Sequence, residues 1–388
     1  MLPILYNLGC KVNQYEGHAL RAAIIPGDDL VIVNTCCVTH EAVIKSLRRL
    51  RHVRKKYPDH KVIATGCACL LYPEKFSDAD RVITLAERDE LIRRVYPSPS
   101  KSRYFLKIQD GCSESCTYCI VPRVRPKLAS KTIPEIRTEI GWARSQGFGE
   151  VVLVGANIGL YGAERGMTLP GLINALAEIG PEPRIRLSSI EPKFLTPELI
   201  AAISRLPACR HFHIPIQSAD DRILRVMGRE KTRAELSQLL GLAAAAFPGA
   251  AFGADLIVGF PGEDEAAFQR TFDFIKDQPF THLHVFPYSP RPGTAAEPFG
   301  DPVTKPEKKN RLWRLKKMIQ EKNLCFRRRW LGQVLDAIVE HDTTGAISAL
   351  TDNYIRVWIK GFFPFGARIK VRITAAEPQF TMGRALRR

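Results

Sequence analysis

Apolar positions along this chain recur with two periods, and the rhythm changes twice. In the first 96 residues the runs Leu30-Val-Ile-Val-Asn34 and Lys61-Val-Ile-Ala-Thr65 are β-branched and nearly uninterrupted, as buried parallel strands are. Between them residues 41–57 have a helical period, which Pro58 ends. These features predict a small α/β unit over residues 1–96. A Pro/Ser/Lys-rich linker at 96–103 follows. Strand-like runs then recur at 104–109, 150–154, 184–188, 211–216, 252–258 and 283–287, with helical patterns at 133–146, 169–179, 197–206, 233–246 and 263–276. Six strands alternating with helices predict a partial six-stranded parallel βα barrel, because a closed eight-fold barrel needs two more units. This middle region ends in a long basic helix at 306–331, anchored by Leu312, Leu315, Ile319 and Leu324. Beyond Gly332 the period shortens to two. Strands at 334–340, 346–350, 354–360 and 368–374, with turns at Thr344-Gly345, Asp352-Asn353 and Phe365-Gly366, predict a small antiparallel β-barrel over 332–388.

Composition adds a partner and a compartment. The 388 residues are 45% hydrophobic and 25% charged, with no apolar run near the ~20 residues a membrane span needs. The opening Met1-Leu-Pro-Ile-Leu-Tyr lacks the basic region of a signal peptide, so a cytoplasmic protein without membrane attachment is expected. Ten cysteines in that setting point to metal or redox chemistry rather than disulfides. The net charge of +17 favours a polyanionic partner. Eight Lys/Arg stand against one acidic residue from Lys45 to Lys61, and eleven against two from Val303 to Leu331. One such run is an ordinary solvated helix face; two within a strongly basic chain indicate RNA. Arg356, Lys360, Arg368, Lys370 and Arg372 supply a further phosphate-facing side on the C-terminal strands.

The cysteines fall into two sets. Cys112, Cys116 and Cys119 form a C-x3-C-x2-C loop directly after the first strand of the βα series. Three thiolates in one loop suit a [4Fe–4S] cluster with one open iron, or a zinc ion that borrows a fourth ligand. Cys10, Cys36 and Cys67 each follow a strand, or a segment standing in for one, and the carboxyl ends of parallel strands converge. They form a second candidate three-cysteine site, for which neighbouring Cys37 and Cys69 are either substitutes or core residues; Cys209 and Cys325 read as structural. Around the rim of the βα series lie Gly155, Asn157, Ser188, Glu191, Gln217, Ser218, Asp255, Gly259 and Gly262, where small and polar residues admit a ligand.

Gly9-Cys-Lys-Val-Asn-Gln-Tyr-Glu16, Asn34-Thr-Cys36, Gly66-Cys67 and Cys112…Cys116…Cys119 occur in the order found in the methylthiotransferases, which the chain resembles over nearly its full length. These are radical S-adenosylmethionine (SAM) enzymes with an N-terminal cluster domain, a central barrel and a C-terminal TRAM domain. Lys-Val-Asn-Gln-Tyr after Cys10 and His284-Val-Phe-Pro-Tyr-Ser-Pro-Arg-Pro-Gly-Thr294 resemble the MtaB branch. That branch methylthiolates C2 of N6-threonylcarbamoyladenosine at position 37 of tRNA, beside the anticodon. The intervals Cys10 to Cys36 and Cys67 to Cys112 are shorter than the family pattern.

The resemblance implies two [4Fe–4S] clusters, one on Cys112, Cys116 and Cys119 that binds SAM and one on Cys10, Cys36 and Cys67 that carries sulfur. It implies contacts to SAM from Tyr118, with Gly155, Asn157, Ser188, Gln217 and Asp255 as rim candidates. Implied partners are the tRNA anticodon loop, a reduced flavodoxin or ferredoxin-type electron donor, and a sulfur donor. Sister branches act on isopentenyladenosine in tRNA or on a ribosomal protein aspartate, and a non-catalytic zinc-containing RNA-binding protein is the reading from another class. Anaerobically purified protein separates these classes: two clusters give a brown protein with about eight irons per chain, whereas colourless protein with stoichiometric zinc marks the binding module.

Overall fold

The computed structural model describes residues 2–24, 29–97, 102–180, 182–341 and 347–386. Linker residues 98–101, the Thr344-Gly345 turn and Ala346 lie outside that set. The N-terminal unit is a four-stranded parallel sheet in the order β1 (Ile4–Asn7), β2 (Leu30–Thr35), β3 (Lys61–Gly66), β4 (Arg81–Val82). Its helices are α1 (Lys11–Ala23), α2 (His40–Lys56), α3 (Cys67–Leu71) and α4 (Leu85–Ile92). The two long buried strands match the two apolar runs. The outer two carry weaker signals, since β1 is only half-buried and β4 is two residues long.

The central unit contains β5 (Tyr104–Asp110), the short antiparallel β6 (Ala129–Ser130), β7 (Glu150–Gly155), β8 (Arg184–Leu187), β9 (His211–His213), β10 (Ala251–Val258) and β11 (Phe280–Pro287). Strands β5, β7 and β8 pair in parallel, as do β9, β10 and β11. Parallel bridges Ile185–Ala208 and Ser189–His213 join the two halves into one curved six-stranded sheet. Helices α5 (Val121–Val124), α6 (Ile133–Ser145), α7 (Leu169–Leu176), α8 (Pro197–Ile203), α9 (Asp221–Val226), α10 (Arg233–Ala246) and α11 (Glu265–Asp277) connect them. Threonine N-caps fix several helix starts, with full capping boxes at Thr132–Glu135 and Thr232–Glu235.

Alternation along each strand sorts the side chains. Tyr104, Leu106, Ile108, Val151, Leu153, Ile185, Phe212, Ala254 and Leu256 join the helices in the main core. The intervening Lys107, Gln109, Arg186, His211, His213, Asp255, His282 and His284 face the lumen. The first turn of α1 enters this lumen, where Val12 packs on Phe105, Val152 and Val154.

An ionic cluster locks the two units together. The fully buried Glu16 of α1 accepts from Arg125 (2.7 Å), Lys107 (2.6 Å) and Arg88 (2.9 Å), and Asp110 bonds Arg125 at 2.7 Å and Lys107 at 2.6 Å. Burial alone would raise the Glu16 carboxyl, but Arg125, Arg88 and Lys107 hold it well below the ordinary carboxylate range.

The C-terminal unit is a closed five-stranded barrel ordered β12 (Val334–His341), β13 (Ile347–Thr351), β14 (Arg356–Ile359), β16 (Thr381–Ala385), β15 (Arg368–Ala376). The last strand went unforeseen because Gly383 interrupts its pattern. A Cβ there would lie 2.5 Å from Val371 and 2.6 Å from Val357, so glycine is what lets the barrel close.

This barrel docks where the strands of the central unit begin. Buried Glu150 pairs with Arg184 and Arg186 at 2.6 Å each, and their guanidiniums donate onward to the carbonyls of Asp336, Leu350 and Thr351. Arg368 is spent the same way. It grips Asp336 at 2.5 Å and reaches Glu182 at 3.4 Å, so it ties the units together rather than joining a phosphate-facing side.

The basic helix α12 (Lys305–Arg328) also corrects an expectation. Arg311 is buried on Glu263 at 2.8 Å, Lys322 caps the end of α11 through the carbonyl of Ile275, and Arg327 donates to carbonyls of Glu377 and Phe380. Part of what reads as a polyanion surface is therefore internal structure, while Lys305, Lys309, Lys316, Lys317, Arg328 and Arg329 stay exposed.

Glu16→Gln leaves Arg88, Lys107 and Arg125 with only Asp89 and Asp110 to balance them, and a cost of about 3–5 kcal/mol is expected in urea unfolding at pH 7. Because the folded carboxyl is depressed, its contribution is present above the unfolded value near ~4.3. The gap between wild type and variant closes as pH falls through the folded value.

Candidate active site

The Cys112–Cys119 loop sits at the carboxyl end of β5 and is clamped from three sides. The Cys112 amide donates to the Arg125 carbonyl at 3.0 Å, Thr117 donates through its amide to Met227 and through its hydroxyl to Val226, and Ala296 donates to the Thr117 carbonyl at 2.8 Å. Gly228 closes against the loop with φ +70°, and a Cβ there would lie 2.7 Å from the Ser115 carbonyl oxygen. Burial raises the Cys112 thiol and pushes Cys119 up to about 12. Arg229 reaches the Cys116 sulfur at 3.7 Å while paired with Glu191 at 2.5 Å, in a cleft also lined by Glu114 and Lys193. Arg229 is a residue that sequence reasoning missed, since it lies in a helix–helix loop away from any strand end. Glu191 was visible in the rim motif but carried no role.

The expected rim residues lie in two tiers. Gly155, Asn157, Ser188 and Gln217 stand at the ends of β7, β8 and β9. A Cβ on Gly155 would lie 2.8 Å from the Gln109 side-chain oxygen, which also accepts the Asn157 amide at 2.9 Å. The Asn157 side chain favours the thiolate of Cys112 against the effect of burial. Gln217 is held at φ +66°, an uncommon conformation for a residue with a side chain. Tyr118 meets Phe260 edge-on at 6.4 Å.

Asp255 lies deeper, inside the lumen, where one carboxylate oxygen bonds His213 at 2.9 Å and His284 at 3.1 Å. Burial opposes ionisation there, but the two histidines hold its carboxyl well below the ordinary range. Beneath them His211 and His282 lie 3.3 Å apart, and the Tyr354 ring stacks on His211 at 4.0 Å and on His282 at 5.1 Å. Burial pushes His282 down to about 3, so it is uncharged at neutral pH. Tyr354, in the left-handed region at φ +65°, belongs to the C-terminal barrel and floors the lumen.

In the N-terminal unit, Cys10 precedes α1, Cys36 follows β2 and Cys67 opens α3. Glycine allows this approach. Gly9 has φ +98°, and a Cβ on it would lie 2.9 Å from the Cys36 sulfur. Asn13 spans the site, donating to the carbonyls of Leu8 (3.0 Å) and Thr35 (2.7 Å) and accepting from Arg125 (3.2 Å). Cys37 and Cys67 lie in one buried cluster, and Cys37 together with Arg125 draws the Cys67 thiol below its ordinary value. Cys69 turns away, with its sulfur 3.3 Å from the Thr35 hydroxyl and 3.5 Å from the Thr65 carbonyl. Cys209 is buried near Glu150 and Cys325 is exposed, both remote from the two sets.

The donor sets fit clusters better than single ions. Tetrahedral zinc at about 2.3 Å from each sulfur draws its thiolates to within ~4 Å of one another. Among the described residues, no set of three His, Cys, Asp or Glu donor atoms mutually within 4.8 Å contains a cysteine. A four-iron cluster, whose thiolates bind different irons, spaces them more widely. Arg125 connects the two sets, its carbonyl holding the Cys112 amide and its guanidinium acting on Cys10, Cys36 and Cys67.

Comparison with known proteins agrees. The Radical SAM superfamily profile matches residues 106–275, and a profile described as Uncharacterized protein family UPF0004 matches residues 4–86. A solved radical S-adenosylmethionine methyltransferase, TsrM from Kitasatospora setae, shares the fold with a TM-score of 0.54 at 14% identity, over 69% of this chain and 65% of its own. The fold and the cysteine loop thus define a radical SAM enzyme, for which SAM and a [4Fe–4S] cluster are the implied cofactors.

Relatives narrow the class. The chain is 30% identical to the threonylcarbamoyladenosine tRNA methylthiotransferase MtaB of Thermotoga maritima, over 90% of this chain and 89% of the relative. It is 31% identical to that of Bacillus subtilis, over 98% and 96%. It is also 33% identical to the tRNA-2-methylthio-N(6)-dimethylallyladenosine synthase of Geobacter sulfurreducens, over 82% of each. The chain belongs to the radical SAM tRNA methylthiotransferase family. No described helix is long and apolar enough to cross a membrane.

Gly228→Val drives a side chain into the Ser115 carbonyl and shifts the cysteine loop. A fall of ~100-fold in SAM cleavage is expected, a cost typical of 1 Å misplacements. Production of 5′-deoxyadenosine, measured alongside iron content, checks it.

Proposed function

We propose that the enzyme methylthiolates C2 of N6-threonylcarbamoyladenosine at position 37 of tRNA. The observation that carries this reading is the pair of three-cysteine sets joined through Arg125, one beside the barrel rim and one in the N-terminal unit. Cys112, Cys116 and Cys119 hold one [4Fe–4S] cluster, and Cys10, Cys36 and Cys67 hold a second. When bound, the first supplies reductive cleavage of SAM to a 5′-deoxyadenosyl radical and the second supplies the sulfur to be inserted.

Radical chemistry suits the target because the C2–H bond of adenine is not usefully acidic. The protein binds, orients and excludes water. Tyr118, Gly155, Asn157, Ser188 and Gln217 border the space for SAM, with Asp255 below them aligning His213 and His284. The Arg229–Glu191 pair sets the charge beside Cys116. Exposed Lys45, Arg48, Arg51 and Lys55 on α2 hold the RNA backbone, together with Arg356, Lys360, Lys370 and Arg372 on the C-terminal barrel. The target base leaves its stack most cheaply from a single-stranded loop, and the exposed Phe286 on the rim offers a stacking face. A reduced flavodoxin or ferredoxin-type protein supplies electrons, and a separate donor renews the sulfur.

Two variants separate the roles. Cys112→Ala abolishes 5′-deoxyadenosine formation. Cys10→Ala retains it yet makes no methylthio nucleoside, and any methylthio product from that variant would contradict the sulfur-carrying assignment. Nucleoside mass spectrometry of tRNA from a deletion strain tests the substrate, with loss of the 2-methylthio derivative of threonylcarbamoyladenosine as the expected result. Unchanged tRNA would sink the reading.

A further inference from the structure

The lumen contains a cation with nothing to hold it. Lys11 opens α1, immediately before Val12, which packs on the lumen face of β5 and β7. Its ammonium has no hydrogen-bond or ion-pair partner among the described residues. The charges it feels are those of the lumen: Glu150 and Asp255 attract it, and Arg103 and Arg186 repel it. The carboxylates around it are already committed, Glu150 to Arg184 and Arg186, Glu340 to Arg103, and Asp255 to His213 and His284. A partnerless ammonium in such a space disfavours the empty lumen and favours one that holds an anion.

On the β11 side of the lumen stands His284. Its Nδ1 is committed to Asp255 at 3.1 Å and its side chain is 57% exposed, which leaves Nε2 on the open side. In the tautomer whose Nδ1 donates to the carboxylate, Nε2 is the ring's acceptor. The chain therefore presents an anion receptor and a hydroxyl acceptor to one space. The two stretches that carry the MtaB resemblance, after Cys10 and at 284–294, are the ones that deliver Lys11 and His284.

The substituents of the two candidate tRNA bases differ in the matching way. A threonylcarbamoyl group carries a carboxylate and a hydroxyl, whereas a dimethylallyl group carries neither. A hydrocarbon here would leave Lys11 desolvated and unpaired, and sites built for polar groups strongly reject analogues that lack them. We propose that Lys11 receives the carboxylate of the N6-threonylcarbamoyl substituent, while His284, aligned by Asp255, accepts its hydroxyl. The assignment rests on the substrate reading above and names the residues that make the choice between branches.

The test measures binding of three anticodon stem–loop RNAs, identical except at position 37, to the iron-loaded full-length protein. They carry threonylcarbamoyladenosine, dimethylallyladenosine or unmodified adenosine. The wild type is expected to prefer the threonylcarbamoyl RNA by ~10-fold or more over the unmodified one. Lys11→Met removes that preference, Lys11→Arg retains most of it, and His284→Gln weakens it. Iron content is measured for each variant, and if Lys11→Met loads poorly, the outcome for His284→Gln decides. A Lys11→Met protein that loads fully and keeps the preference would overturn the assignment of Lys11 while leaving the substrate reading intact. A wild type that prefers the dimethylallyl RNA would overturn both.

Discussion

The contact on which the rest of the architecture depends is the buried carboxylate of Glu16. It comes from α1, and the charges that hold it come from three places: Arg88 of α4, Lys107 of β5 and Arg125 beyond the cysteine loop. With Asp110 and Asp89 included, three acidic groups balance three basic ones. Ion clusters of this kind contribute little net stability compared with apolar packing, but they are strongly directional. Here the direction matters most. Arg125 cannot satisfy Glu16 and Asp110 at once unless the N-terminal sheet and the barrel meet in one register, and that register brings the two cysteine sets together.

A parallel economy operates at the other end of the central unit. Glu150 draws Arg184 and Arg186 inward, and their remaining N–H groups become donors to carbonyls of the C-terminal barrel. Arginine suits this role because its planar fork bonds a carboxylate and a backbone oxygen together. Part of the excess positive charge is thereby spent on holding units in place, and the outward lysines and arginines of α2 and the C-terminal barrel remain exposed to solvent.

The alternation of strands and helices, the cysteine spacing and the strand-end placement of most rim residues were legible because they are local: each depends on neighbours within a turn or a strand. What stayed hidden depends on pairs far apart in the chain. Arg229 acquires meaning only beside Glu191 and Cys116, and Arg368 only opposite Asp336. Cys69 looked equivalent to Cys67 until β3 and α3 set their directions, one sulfur into the sheet and the other toward Asn13. Asp255 was expected on the rim, but it lies one layer inside because β10 runs on to Val258. Strand β16 was invisible for a related reason: Gly383 fits a gap made by Val357 and Val371, which precede it by many residues.

Tyr354 stacked on His211 and His282 gives the fold a sense of traffic. With that end of the lumen stoppered by the C-terminal barrel, a base inserted among the histidines leaves by the strand-end side from which it came. On the proposed function, SAM and its fragments occupy that same side. Arrival and departure then share one doorway, and the order in which the occupants turn over becomes a property of the architecture. An RNA seated across the doorway would govern when the cofactor is exchanged.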